Sequence, residues 1–197
     1  VFMKRKFISL LTTALLLTGT VLLPAAAEES TPLQELTLNE VAHSIFYAPQ
    51  YAAIELGYFQ EEGIELTLVN GFGADKTMTA LLSGDGDIGF MGSEASIYTY
   101  SGGAADAPVN FAQLTQRAGN FLVARQEMPD FEWSDLIGKD VLGGRKGGMP
   151  EMVFEYILME NGIDPSEVNI DQSIDFGSTA AAFSGGQGEF TVEFEPG

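Results

Sequence analysis

From residue 36 to residue 194, strand-length apolar runs alternate with stretches of helical spacing, and this rhythm restricts the possible folds more than any other feature of the 197-residue chain. Leu36-Thr37-Leu38-Asn39-Glu40-Val41 alternates as a strand does. Pro49 to Leu56 then puts Tyr51, Ala52, Ile54 and Glu55 on helical spacing, and Gly57 closes the helix. Gly63 to Val69 reads as a second strand, Asp75 to Leu82 as a helix with Asp75 as its N-cap, and Asp87 to Met91 as a third strand. Ser93 to Tyr100 gives another helix, capped by Ser93 or Glu94. After a loop at Gly102 to Pro108, Val109 to Leu114 and Phe121 to Arg125 read as further strands. Strand and helix units of this length predict an α/β fold with a mostly parallel sheet covered by helices.

The pattern restarts after Gln126-Glu127-Met128-Pro129-Asp130. Trp133 to Ile137 is a helical turn, Asp140 to Gly143 a strand, Met149 to Glu160 a helix ended by Asn161-Gly162, Val168 to Phe176 a strand, Ser178 to Phe183 a helix, and Glu189 to Phe194 a strand. The expected organisation is therefore a first α/β lobe over residues 28–125 and a second over 126–197. Because the last strand runs directly into Glu195-Pro196-Gly197, the second lobe is expected to be incomplete and the sequence truncated.

Residues 1–27 stand outside that pattern. Met3-Lys4-Arg5-Lys6 is a basic n-region, Phe7 to Leu23 an apolar run with several Thr and Ser, and Ala25-Ala26-Ala27 a small-residue cleavage signal. Together they read as a secretory signal peptide, with a retained membrane anchor as the other reading. Its removal takes three of the nine cations and none of the 28 acids, leaving an exported chain with six cations against 28 acidic groups. That sign disfavours nucleic acid as a partner. The absence of Cys excludes disulfides, iron–sulfur clusters, thiol nucleophiles and a lipid-acylated cysteine, and a single histidine, His43, excludes a multi-histidine metal site. No cofactor and no metal are expected.

In an open α/β sheet the ligand-binding edge is formed by the loops that follow the strands. Four loops qualify here. Ala42-His43-Ser44-Ile45-Phe46-Tyr47-Ala48-Pro49 is either a ligand-stacking loop or a buried connection with His43 as a hydrogen-bonded structural residue. Asn70-Gly71-Phe72-Gly73-Ala74-Asp75 has two glycines that admit a close backbone approach, although a turn alone also explains them. Met91-Gly92-Ser93-Glu94-Ala95 brings a small residue and a hydroxyl to a helix start. Gly143-Gly144-Arg145-Lys146-Gly147-Gly148-Met149-Pro150-Glu151 places two cations before a helix N-terminus, where an anionic group is favoured, unless Glu151 and Glu155 neutralise them locally. There is no Walker motif, metalloprotease motif or nucleophile elbow.

Phe46-Tyr47-Ala48-Pro49-Gln50-Tyr51-Ala52-Ala53, followed by Glu55-Leu56-Gly57-Tyr58-Phe59-Gln60-Glu61-Glu62-Gly63-Ile64, resembles the start of the extracytoplasmic substrate-binding proteins of ABC importers. The group in question binds sulfonates, taurine, nitrate and thiamine-pyrimidine precursors. Ala80 to Gly89, Asp135 to Val141 and Phe194-Glu195-Pro196 extend the resemblance collinearly over residues 36–196. It implies a type II periplasmic-binding-protein fold, two α/β lobes closing on a small molecule, with a membrane permease as partner and a monomeric state. By resemblance, His43, Ser44, Phe46, Tyr47, Gly73, Asp75, Ser93 and Glu94 face the cleft from the first lobe. Arg145, Gly147, Gly148, Met149 and Glu195 face it from the second. Members of the family run on for about a further hundred residues or more.

Phe46, Tyr47 and Phe72 suit a flat heterocycle such as a pyrimidine, whereas Arg145 and the helix start suit a sulfonate or carboxylate. Two other classes stay open. Enzymes of the same fold act on pyrimidine or menaquinone precursors, and an exported sensing module would differ only in its partner.

Overall fold

The computed structural model describes residues 32–117, 119–175 and 177–195, so the leader expected at 1–27 lies outside the described residues. The first strand, β1 (Gln34–Glu40), is followed by a 3-10 turn at Ile45–Tyr47, α1 (Ala48–Glu55) and α2 (Tyr58–Glu61), then β2 (Ile64–Asn70), α3 (Ala74–Ser83), β3 (Ile88–Phe90) and α4 (Glu94–Ser101). These strands form a parallel sheet in the order β2-β1-β3. Leu38 is aligned with Leu68 on one side and Ile88 on the other.

Position in the sheet explains the strand sequences. Edge strand β2 alternates half-buried Ile64, Leu66 and Leu68 with exposed Glu65, Thr67 and Val69, as one covered face requires. Central β1 is buried over its last three residues, Leu38-Asn39-Glu40, where the strand ends turn toward the site. Asp87 fixes the start of β3: its Oδ2 accepts from Thr37 N at 2.7 Å and its own amide donates to Thr37 O at 2.9 Å.

The second sheet contains β4 (Asn120–Ala124), β5 (Asp140–Leu142), β6 (Asn169–Asp171) and β7 (Phe190–Phe194) in the order β4-β7-β5-β6. Strand β7 is antiparallel to β4 and parallel to β5. The helices α5 (Met149–Glu160) and α6 (Thr179–Ser184) complete this half. Pro150, Glu151, Phe154 and Leu158 form the buried stripe of α5 at the expected three- and four-residue intervals. Leu136, Val141, Phe154, Leu158, Ile163, Val168, Phe190 and Val192 make one core, against which Phe131 and Trp133 pack edge to face, 5.4 Å apart.

Two expectations are corrected. Residues 109–114 form no strand: Val109 and Phe111 are 84% and 78% exposed, and their alternation gives the segment an apolar side without a neighbouring strand to hydrogen-bond. Asp75 is not a helix cap, because Gly73 occupies that position and Asp75 lies in the first turn of α3. Strand β4, just before Arg125, pairs with β7 across Leu122–Val192. Among the described residues, no helix is long and apolar enough to cross a membrane.

Candidate functional site

The two sheets present their loops to a shared cleft of about 930 Å³, lined from the first half by the segments after β1 and β3 and from the second by the start of α5 and the end of β7. This volume suits a small organic ligand. Of the residues expected at the site, Ser44, Phe46, Tyr47, Ser93, Glu94, Arg145, Gly148 and Met149 line the cleft.

Aromatic surface dominates two walls. Tyr47 meets Phe90 edge to face at 4.5 Å, and Phe46 reaches across to Phe194 of the second half at 5.9 Å. The turn that carries Phe46 and Tyr47 starts at Ser44, whose Oγ accepts from Phe46 N at 3.3 Å. Burial, with the nearby Tyr51 and Glu40, pushes the Tyr47 phenol up to about 12, so it stays a neutral hydroxyl at physiological pH.

Glu94, the first residue of α4, is 7% exposed, and its Oε1 has no hydrogen-bond partner among the described residues. Burial raises its pKa against the opposing pull of the backbone amides of Glu94 and Met149. The carboxylate therefore stands between α4 and the N-terminus of α5, which belong to opposite halves. Gly92 makes room for it, since a Cβ there would collide with the Glu94 carboxylate.

Arg145 lines the cleft, but its donors are turned to the protein. Nε lies 3.1 Å from both Asp75 oxygens, Nη2 donates to Asp75 Oδ2 at 2.9 Å, and Nη1 donates to Ser173 O at 2.7 Å. Burial alone would raise the Asp75 carboxyl; the hydrogen bonds and charge of Arg145 outweigh it and hold Asp75 below its ordinary value. Lys76 and Asp175 add a second ion pair between the halves at 2.7 Å.

The remaining expected residues stand outside the cleft lining for identifiable reasons. Asp75 is held by Arg145, and Gly73 lies so close to the Arg145 side chain that a Cβ there would come within 3.0 Å of its Cγ. Gly147 donates its amide to Glu151 Oε2 at 3.1 Å. Glu195 is exposed in the turn after β7, its amide donating to Gly119 O at 3.4 Å. His43 is turned to Glu40 Oε1, 2.9 Å from Nδ1, and stacks on Tyr51 at 4.4 Å. Phe72, expected to stack on a ligand, is half exposed outside the lining, with a positive φ of 58°.

Sequence reasoning missed the 108–117 segment, which lines one side of the cleft with residues that include Phe111, Gln113 and Arg117. It also missed Glu40, a carboxylate only 1% exposed at the end of β1, bonded to Tyr51 and Gln50 as well as facing His43. Its signal was an acid at the end of an otherwise buried central strand.

The sequence pattern of NMT1/THI5-like proteins matches residues 45–195. The chain belongs to the NMT1/THI5-like family. Within that setting, it is 50% identical over 173 residues to a Bacillus subtilis (strain 168) protein named "Putative binding protein YtlA", covering 87% of this chain and 52% of that one. The NMT1/THI5-like chain thus spans about half the length of that relative.

Solved structures show the fold shared by this NMT1/THI5-like protein. A Bordetella bronchiseptica protein matches 82% of the chain, and 51% of its own length, with a TM-score of 0.65 at 20% identity. The alkanesulfonate-binding protein SsuA of Xanthomonas axonopodis pv. citri, bound to MOPS, matches 84% of the chain and 56% of its own, with a TM-score of 0.62 at 16% identity. The periplasmic aliphatic sulphonate binding protein SsuA of Escherichia coli matches 84% and 55%, with a TM-score of 0.51 at 18% identity. The fold is that of the type II periplasmic binding proteins, two α/β lobes around a cleft, of which the chain holds part.

Proposed function

We propose that this protein is an exported solute-binding protein that captures a small organic molecule in its cleft and delivers it to an ABC importer permease. The observation that carries the reading is the cleft itself. It holds about 930 Å³, with aromatic side chains converging from separate elements and a few polar groups positioned at helix starts. Membership of the NMT1/THI5-like family and the fold shared with sulfonate-binding proteins support it. The ligand signal reaches a permease through the relative geometry of the two halves, which a solute seated between them would fix.

Binding is favoured over catalysis because His43 is engaged by Glu40 and Tyr51 and does not line the cleft. A thermal-shift screen of amino-heterocycles, amidines, carboxylates and sulfonates on the full-length protein, with calorimetry on each hit, tests the reading. Saturable one-to-one binding that is weakened by Tyr47→Ala is expected. Failure of every compound to bind, or steady product formation that His43→Ala abolishes, would overturn it.

A further inference from the structure

We infer that Phe46 is the wedge that sets the angle between the two halves, and that residue 119 is glycine because the Phe46 ring fills the space a side chain would need there. The inference concerns the joint between the halves and goes beyond the solute-binding reading above, whichever solute the cleft takes.

After α4 the chain runs along the cleft through residues 108–117 and reaches the second sheet at Gly119, one residue before β4. Antiparallel pairing sets Asn120 opposite Phe194, so this point of entry lies beside the end of β7, and the Glu195 amide donates to Gly119 O at 3.4 Å. Gly119 is thus where the crossing segment becomes part of the second half. Hinge angles are set at such element-terminal positions by whatever packs against them.

Phe46 comes to this point from the first half. Its ring meets Phe194 edge to face at 5.9 Å, with 77° between the planes. It also covers Gly119 so closely that a Cβ there would collide with Cζ and stand 3.2 and 3.3 Å from Cε1 and Cε2. The ring is held on its own side too. Phe46 is the middle residue of the turn Ile45–Tyr47, its amide donates to Ser44 Oγ at 3.3 Å, and the neighbouring Tyr47 is fixed on Phe90 at 4.5 Å. A close-packed ring between two bodies transmits a displacement instead of absorbing it. Bulk added beside it is expected to push the halves apart, and its removal to let the Asp75–Arg145 and Lys76–Asp175 ion pairs draw them together. Phe46, Gly119 and Phe194 all line the cleft, so a solute that bears on the Phe46 ring bears on the joint as well. Phe46 is in this sense a positioning residue.

The chain contains no cysteine, so Glu62→Cys in the first half and Glu160→Cys in the second, both at exposed positions, provide thiols for a pair of spin labels. Their distance distribution reports the angle in the full-length protein with no solute added. Gly119→Ala is expected to lengthen the mean distance, and to have no such effect once Phe46→Ala has removed the ring. With Gly119 unaltered, the mean distance is expected to rise through Phe46→Ala, wild type and Phe46→Trp, a series that decides the matter if Gly119→Ala does not fold. Cooperative melting shows which variants are folded. Lengthening by Gly119→Ala that is the same with and without the ring, no lengthening in the folded variant, or a distance indifferent to the Phe46 series overturns the inference. Because no solute takes part, these outcomes stand whether or not the thermal-shift screen finds a binder, and failure of that screen removes the solute-binding reading alone.

Discussion

Glu40 and Glu94 are both buried carboxylates at the edge of the first sheet, yet their surroundings differ. Glu40 takes a bond from Tyr51 OH at 2.9 Å and one from Gln50 Nε2 at 3.1 Å, with His43 Nδ1 at 2.9 Å. Tyr51 is itself pushed up to about 12, chiefly by burial and further by Glu40, so it remains a donor throughout the physiological range. Tyr51→Phe removes a hydrogen bond to the buried Glu40 side chain and is expected to cost about 1–3 kcal/mol, read as a lower melting temperature; a variant as stable as the wild type would contradict this. For Glu94, burial raises the pKa and disfavours the ionised form in the fold. Folded protein takes up that proton first as pH falls, so the wild type gains stability from this group on acidification. Glu94→Gln is therefore expected to be at least as stable as the wild type at pH 7, with the difference narrowing as pH falls toward the ordinary carboxylate range. Melting curves at several pH values check it, and a difference that widens on acidification would refute it. Neither role is legible in sequence: Glu94 is read there as a loop-end residue, whereas its burial and the Oε1 left unpaired among the described residues depend on which groups the other half brings near.

At the level of elements, the loop between β3 and α4 sets the Glu94 geometry. Its Gly92 leaves the space that the Glu94 carboxylate fills. Gly92→Ala is expected to expel the carboxylate or strain the loop, at about 1–3 kcal/mol. Thermal melts and a crystal structure of the variant test this; an unmoved Glu94 with unchanged stability would contradict it. Most elements could be read from the sequence, because apolar spacing and terminal signals coincided: Met149–Glu160 is the expected helix, and β2 and β3 agree within a residue or so. Residues 109–114 were misread because alternation reports an apolar face and not what covers it. The placement of β4 was hidden for a related reason, since its partner β7 lies some seventy residues later in the chain. Arg125 shows what sequence cannot supply: it donates to the carbonyls of Phe183, Gln187 and Gly188 and lies 4.2 Å above the Phe183 ring, tying the end of β4 to α6.

Over the whole molecule, the two halves are joined across the cleft by Asp75–Arg145, Lys76–Asp175 and Phe46–Phe194. Asp75 has a lowered pKa, so the stability it contributes is present above its ordinary carboxylate pKa and lost as pH falls through the still lower folded value. Asp75→Asn is expected to loosen the ligand-free arrangement, seen as a larger radius of gyration in X-ray scattering at neutral pH; no change would mean that the pair does not hold the halves together. The two-lobe architecture and the shared edge of loops were visible in the βα rhythm, whereas the engagement of Arg145 by Asp75 was not, because the partners lie seventy residues apart. The central claim is that the cleft between the halves binds a small solute. Its most direct test is the backbone amide spectrum of the full-length protein titrated with the tightest binder from the thermal-shift screen. The account predicts saturable shifts concentrated at Ser44 to Tyr47, Phe90 to Glu94 and Gly148 to Met149. Shifts confined to residues remote from the cleft, with these segments unmoved at saturation, would contradict it.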